Sequence, residues 1–420
     1  MISNPDPTIT QDQMTSPDVL VVGAGAAGLF AAIHAGRNGA SVLALDGARS
    51  LGAKILVAGG GRCNVTHDFV DEASYAGSSP NAIRKVLRRF DVSDTIEFFA
   101  EYGVTLKRED TGKLFPTTDR ARTVLDALLR AADEAGVVIK FPRRVEAIDH
   151  REGAFVVSGE WGEVTAPRLI LATGGQALPK SGSDGLGYEF ARTLGHSVGD
   201  QIHPALVPLI LPGDHPFREL SGIAVSAQLV LRSGTGKILK TFFDDLLFTH
   251  FGLSGPCALD ISRYWRAALI DDPGTRLEMN LFPEHTEATF DKVLLDSSHA
   301  TPLAHLKAEL PERLCRVICD MAGIDPSARL GQLPREARKA LVRSCITAPL
   351  GVEGDRGFTH AEVTMGGVPL KEIRLETMES RVRPGLQLIG EILDVDGRIG
   401  GYNFQWAWAS GFIAGSARID

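Results

Sequence analysis

The residues Gly23-Ala24-Gly25-Ala26-Ala27-Gly28 have the types and spacing to hold a diphosphate. Gly23 permits a tight turn, Gly25 lets the backbone approach a pyrophosphate, and Gly28 lets a helix pack closely on a strand. The free N–H groups and positive end of the helix that follows then face the anion. Asp46 stands 18 residues past Gly28, where a carboxylate can accept from ribose hydroxyls. A tight strand–helix turn with an unrelated acid would give the glycines but not the acid at this distance. The set points to a dinucleotide.

Three further segments separate FAD from NAD. The first is Gly59-Gly60-Gly61-Arg62-Cys63-Asn64, followed by Val65. Consecutive glycines cost conformational entropy and suit backbone N–H groups that must reach a flat ligand or an anion. Arg62 can meet phosphate, and Asn64 can bond a ring edge. The second is Leu169-Ile170-Leu171-Ala172-Thr173-Gly174-Gly175, a strand whose small end lets the chain pass close to adenosine or isoalloxazine. The third lies far away, near the C-terminus: Gly390-Glu391-Ile392-Leu393-Asp394, then Gly400-Gly401-Tyr402-Asn403. Glu391 or Asp394 can bind ribityl hydroxyls. The Gly400 and Gly401 amides can face the flavin pyrimidine edge. A nicotinamide domain has no use for such a returning segment, so FAD is expected.

These residues need elements to position them. Asp18 to Val22 and Ala40 to Asp46 read as strands flanking a helix that carries Leu29 and Ile33, a βαβ unit. Residues 81–103 and 121–135 read as helices, and 137–141, 154–158 and 168–171 as strands. Short alternating runs over 203–262, with a Ser233-Gly234-Thr235-Gly236 turn, suggest antiparallel strands. Residues 284–345 look helical. Apolar strands return from about 355, and a helix over 405–417 closes the chain. The dinucleotide domain is therefore expected in two parts, 17–195 and 355–420, around an insert at 196–354 that is β-rich over 200–280 and helical over 284–350.

Composition sets limits. The chain has 420 residues, too long for one ordinary core, with 44% hydrophobic and 23% charged residues. Net charge is -8 with no long basic run, which counts against a nucleic-acid partner. Arg84, Lys85, Arg88 and Arg89 read as a solvated helix face. Five cysteines, an odd number, suggest free thiols in a reducing compartment. Residues 1–16 form a polar leader, unlike a signal peptide. No apolar stretch is long enough to span a membrane, and a cytoplasmic location is expected. No metal site is expected, since Cys315 and Cys319 lack further ligands at suitable spacing.

The chain resembles the bacterial FAD-dependent oxidoreductase family of bile-acid Δ4-reductase-like and aminoacetone-oxidase-like proteins. The resemblance rests on VVGAGAAGLFAA, KILVAGGGRCNVT, LATGGQALPKSGSDGLGYEFARTLGH, FTHFGLSGP, VTMGGVPLKEI and TMESRVRPGLQLIGEILDVDGRIGGYNFQWAWASG, spanning residues 19 to 415. It implies an α/β fold: a Rossmann-like FAD-binding domain interrupted by a β-barrel-like segment and a helical segment. It implies FAD contacts at Gly23 to Ala27, Asp46, Arg62 to Val65, Val145, Thr173, Gly174, Glu391 and Gly400 to Asn403. Asp46 stands where Glu is commoner in the family, and His67 where Asn is commoner.

Catalytic candidates are fewer. His250 lies beside flexible glycines in the insert and can touch substrate or donate a proton. His360 and Thr364 precede the Gly366-Gly367 pair. Cys63 has no cysteine neighbour for a disulfide relay and reads as a small packed residue. Trp406 and Trp408 read as core or interface aromatics. The expected activity is hydride transfer between flavin and a small organic substrate bound between the domain and its insert. With a single GxGxxG, NAD(P)H is expected as a transient donor. An amine oxidase using oxygen, a non-catalytic flavin-binding module and an RNA-modifying enzyme are the alternatives. Nothing in the sequence sets the oligomeric state.

Overall fold

The computed structural model describes residues 16–199 and 201–418. The leader expected over 1–16 lies, but for Ser16, outside the described residues. The chain divides into two compact units: one comprises residues up to Ile202 and from Val363, the other His203–Glu362.

The first unit is built on a seven-stranded sheet. The middle of its five parallel strands is β1 (Val19–Val22), with β2 (Val42–Leu45) and then β3 (Val138–Lys140) on one side. On the other side lie β4 (Arg168–Leu171) and β5 (Leu386–Leu388). These five are parallel. Glu379–Ser380 and Ile373–Arg374 extend the edge antiparallel. VLVV and VLAL are wholly buried, as expected for parallel strands covered on both faces. The chain moves from β1 to β2, then later crosses to β4 on the other flank of β1. That reversal opens a crevice at the carboxyl ends of β1 and β4, the usual ligand position in such sheets.

The first helix, Ala26–Arg37, follows β1 directly, and the last helix, Tyr402–Ser416, packs along it. A Cβ on Gly411 would lie 2.8 Å from the Ala27 carbonyl oxygen, and one on Gly415 would lie 2.3 Å from that of Ala31. Both numbers rise together, so the helices run in the same direction. From this register the last helix starts eight residues before the first one does, about 12 Å further out at 1.5 Å per residue. Trp406 and Trp408, both buried, tie it down: their indole N–H groups donate to the carbonyls of Gly390 (3.1 Å) and Val65 (2.9 Å).

One sequence expectation changes here and another gains its partners. The single helix expected over 81–103 is two, Pro80–Leu87 and Val92–Glu101. Asp91 breaks it by forming a capping box with Asp94. The strand expected at 154–158 is the middle of a three-stranded antiparallel sheet with Ala147–Arg151 and Gly162–Ala166. Those flanking strands are partly exposed and polar, so they carry little apolar signal.

The second unit holds a seven-stranded sheet, antiparallel in every pair, ending at Ala348–Pro349 and Gly354–Asp355. The hairpin Ala224–Arg232 to Ile238–Thr249 turns at Ser233 to Gly236, as expected. Strands do not continue to 262: Gly255–Asp271 is a helix with Pro256 in its first turn. Further helices follow, among them Glu287–Asp296, Glu312–Met321 and Arg335–Ile346. The insert runs later than the expected 196–354 at both ends. His196 bonds Glu372 within the first unit, and Gly354–Asp355 pairs with Leu209–Ile210 within the second. No helix among the described residues is long and apolar enough to cross a membrane.

Candidate active site

The glycine turn after β1 is held by protein packing at two of its three glycines. Gly23 has φ +100°, and a Cβ there would lie 2.4 Å from the Ala172 carbonyl oxygen. A Cβ on Gly28 would lie 1.8 Å from the Gly23 oxygen. Gly25 is different. Its φ of -80° suits any residue, and a Cβ would meet no atom within 4 Å beyond its own chain neighbours. The protein itself has no need of a glycine there. A ligand pressed against the backbone does, so the residue fits a dinucleotide diphosphate.

Asp46 lies at the end of β2. Its carboxylate accepts from the N–H groups of Ala24 (2.7 Å) and Ala48 (2.8 Å). Burial pushes its pKa up, and these two bonds pull it down. The Asp46 carbonyl takes the Arg143 N–H at 2.7 Å, which brings buried Val145 close to the same strand end.

The triple glycine reverses the chain. The helix Ala53–Gly61 breaks at Ala58, and Gly59, Gly60 and Gly61 follow with φ of +56°, +69° and +84°. Cys63 is also left-handed, at φ +62°. It is fully buried, and burial drives its thiol to about 12, so it is a packed residue. Arg62 turns its guanidinium onto Glu109 (2.6 Å) and over the Phe115 ring. Asn64 is buried, and its Oδ1 has no hydrogen-bond partner. The Thr173 hydroxyl, at the end of β4, is likewise unpartnered. Such atoms are costly unless something donates to or accepts from them.

The returning segment meets this loop directly. Gly401 has φ +97°, and a Cβ there would lie 2.5 Å from the Thr66 carbonyl carbon. Thr66 donates its hydroxyl to Gln405 Oε1 at 2.6 Å, and Tyr402 stacks on His67. Asn403 closes the turn before the helix: its Oδ1 accepts the Gly397 N–H (2.8 Å), and its Nδ2 donates to the Gly397 carbonyl (3.0 Å). Gly400 precedes at φ +121°. Asp394 lies along the strand Tyr75–Gly77, its carbonyl accepting from Ser78 N–H at 2.8 Å.

Glu391 is the hub between β4 and this segment. Its Oε2 takes the Lys54 ammonium at 2.7 Å, and its Oε1 takes the Thr364 N–H at 2.9 Å. Thr364 is buried, and its hydroxyl oxygen accepts from Gln176 (2.7 Å) and Ala177 (3.0 Å) N–H groups. It therefore shapes the loop after Gly174 and Gly175, and its oxygen is already engaged by protein donors. His250 and His360 belong to the second unit and are exposed on it. Sequence reasoning singled out neither Lys54 nor Gln405. Lys54 has no motif spacing, and Gln405 looks like any helix residue until its contacts are seen.

Residues 17–417 match the family described as HI0933-like protein Rossmann domain. The chain belongs to the HI0933-like family. Two curated relatives extend over nearly all of it. The 3-dehydro-bile acid Δ(4,6)-reductase of Clostridium scindens is 35% identical over 95% of this chain and 98% of its own. The ribosomal RNA dihydrouridine synthase of Escherichia coli is 35% identical over 94% of this chain and 96% of its own. Among solved structures, the 3-ketosteroid Δ1-dehydrogenase of Sterolibacterium denitrificans shares the fold at 15% identity, with TM-score 0.50, covering 96% of this chain and 99% of that one. This HI0933-like protein is a FAD-dependent oxidoreductase with a Rossmann-type fold. Gly25, the unpartnered Asn64 and Thr173 atoms, and the paired helix N-termini all suit an extended dinucleotide.

Proposed function

We propose that this HI0933-like protein reduces a carbon–carbon double bond conjugated to a carbonyl in a small organic substrate, with NAD(P)H as the electron source. One observation carries the reading. Two relatives matching over nearly the whole chain bear names for reactions that share this chemistry: a 3-oxo bile acid with adjacent unsaturation, and uridine, whose ring double bond is conjugated to a carbonyl. FAD in this site supplies the hydride. The protein positions it through the Gly25 turn, the Asn64 amide and the Gly400-Gly401 turn.

A small substrate is proposed because the net charge is -8, which repels a polyphosphate. An RNA substrate is the second reading. It is favoured by the dihydrouridine synthase relative and by Lys85, Arg88 and Arg89, exposed and without an ion pair among the described residues.

The test is anaerobic. FAD-loaded protein is mixed with NADH or NADPH, then with a 3-oxo-Δ4 steroid or a uridine-containing RNA. Bleaching by a nicotinamide, followed by return of yellow colour with the steroid, supports the proposal. A flavin that neither nicotinamide bleaches contradicts the donor. Recovery with RNA alone contradicts the small substrate. In a separate aerobic assay, hydrogen peroxide produced from an amine, with oxygen as the electron acceptor, would make it an oxidase.

A further inference from the structure

We propose that Lys54 is the cation that binds the FAD diphosphate, and that Glu391 holds it in place. The inference rests on the reading of this site as a FAD site.

The argument begins with charge. A diphosphate adds two negative charges beside Asp46, which is half-buried, and Glu391, whose side chain is 20% exposed. The end of one helix offsets only about half an elementary charge. A full cation is needed. Arg62 and Arg144 pair with Glu109 and Asp184, each at 2.6 Å, whereas the carboxylate that Lys54 pairs with, Glu391, belongs to this site.

Lys54 is placed for the role. Its ammonium lies 2.7 Å from Glu391 Oε2. That oxygen is 4.0 Å from where a Gly174 Cβ would begin, and Gly174 follows the Ala172 carbonyl against which Gly23 packs. Glu391 also follows Gly390, whose Cβ would lie 2.9 Å from that of Ala27 in the first turn of the first helix. Through Glu391 the ammonium is tied to the end of β4 and to the first turn of the first helix, the elements that flank the turn expected to receive phosphate.

Its chemistry fits as well. An ammonium has three donors, and Glu391 uses one. Lys54 also sits in the first turn of its helix, where a cation opposes the helix dipole. A residue that breaks a local rule in this way points to a task outside its own helix. Glu391, fixed from the other side by the Thr364 N–H, keeps the flexible stem pointed inward. Its removal frees the lysine; removal of the lysine leaves the diphosphate without its counter-charge.

The experiment measures dissociation constants on the full chain stripped of flavin. FAD is followed by fluorescence quenching. ADP, adenosine and riboflavin are followed by calorimetry. For Lys54→Met, FAD and ADP are expected to bind at least tenfold more weakly, while adenosine and riboflavin change less than twofold. Lys54→Arg is expected to stay within threefold of wild type. The double variant Lys54→Met/Glu391→Gln removes the carboxylate left unpaired, and its ADP affinity should remain at least tenfold down. Wild-type ADP affinity in that double variant, with an unchanged melting temperature, would overturn the proposal: Lys54 would then serve only Glu391. A wild-type chain that binds no FAD at all would instead contradict the cofactor reading. The two failures are therefore distinct.

Discussion

Gly411 of the last helix faces the carbonyl oxygen of Ala27 in the first helix, so closely that a Cβ would lie 2.8 Å from it. This contact sets two helix N-termini pointing the same way, one about 12 Å beyond the other. The distance suits a ligand with phosphates at one end and a ring at the other. Gly411→Val must push the helices apart. Overpacking of this kind costs about 1–3 kcal/mol. The urea midpoint is expected to fall and FAD affinity to weaken with it. An unchanged midpoint would mean the helices do not meet as described.

His34, on the first helix, is buried among Phe30, Phe90, Phe98 and Phe412. Burial lowers its pKa to about 4, with the nearby Arg37 charge adding to the effect. The unfolded chain, with a histidine near 6.5, binds more protons between those values. Stability is therefore full above pH 6.5 and falls as pH drops toward 4, by roughly 3 kcal/mol for a shift of this size. Unfolding at pH 7, 5.5 and 4 should show this loss in wild type and a smaller one in His34→Leu. Equal losses in both would remove His34 from the account.

The sequence made the glycine turn after β1, the acid that follows β2 and the returning segment legible because glycine spacing reports backbone demands directly. Gly28 is required by its contact with Gly23, which lies within the turn and is announced by the spacing, whereas the contact of Gly23 with Ala172 is set by the sheet. Asn403 and Glu391 were legible as site residues but not as to what they bond. Asn403 holds Gly397, and Glu391 holds Lys54 and Thr364, partners set only by the closed fold. Thr66 and Gln405, 339 residues apart, meet for the same reason. The break at Asp91 was missed because apolar residues continue on both sides, and only the capping geometry ends the helix.

All five cysteines are buried and free. Burial raises Cys63 and Cys257 to about 12, and Cys315 and Cys319 to about 11. Thiol chemistry needs an exposed thiolate. A chromogenic disulfide reagent at pH 8 is expected to find no fast-reacting thiol in the native protein. In guanidinium it should find five. One rapidly reacting native thiol would contradict the burial and reopen Cys63 as a redox group.

The most direct test uses Gly25→Val. The backbone there has an ordinary φ of -80°, and no atom beyond its own chain neighbours lies within 4 Å of the new Cβ. The flavin-free variant should therefore melt at the wild-type temperature. A branched side chain on the phosphate turn should nonetheless weaken FAD binding at least a hundredfold in a fluorescence titration. Wild-type FAD affinity in this variant would show that the dinucleotide does not lie on the turn.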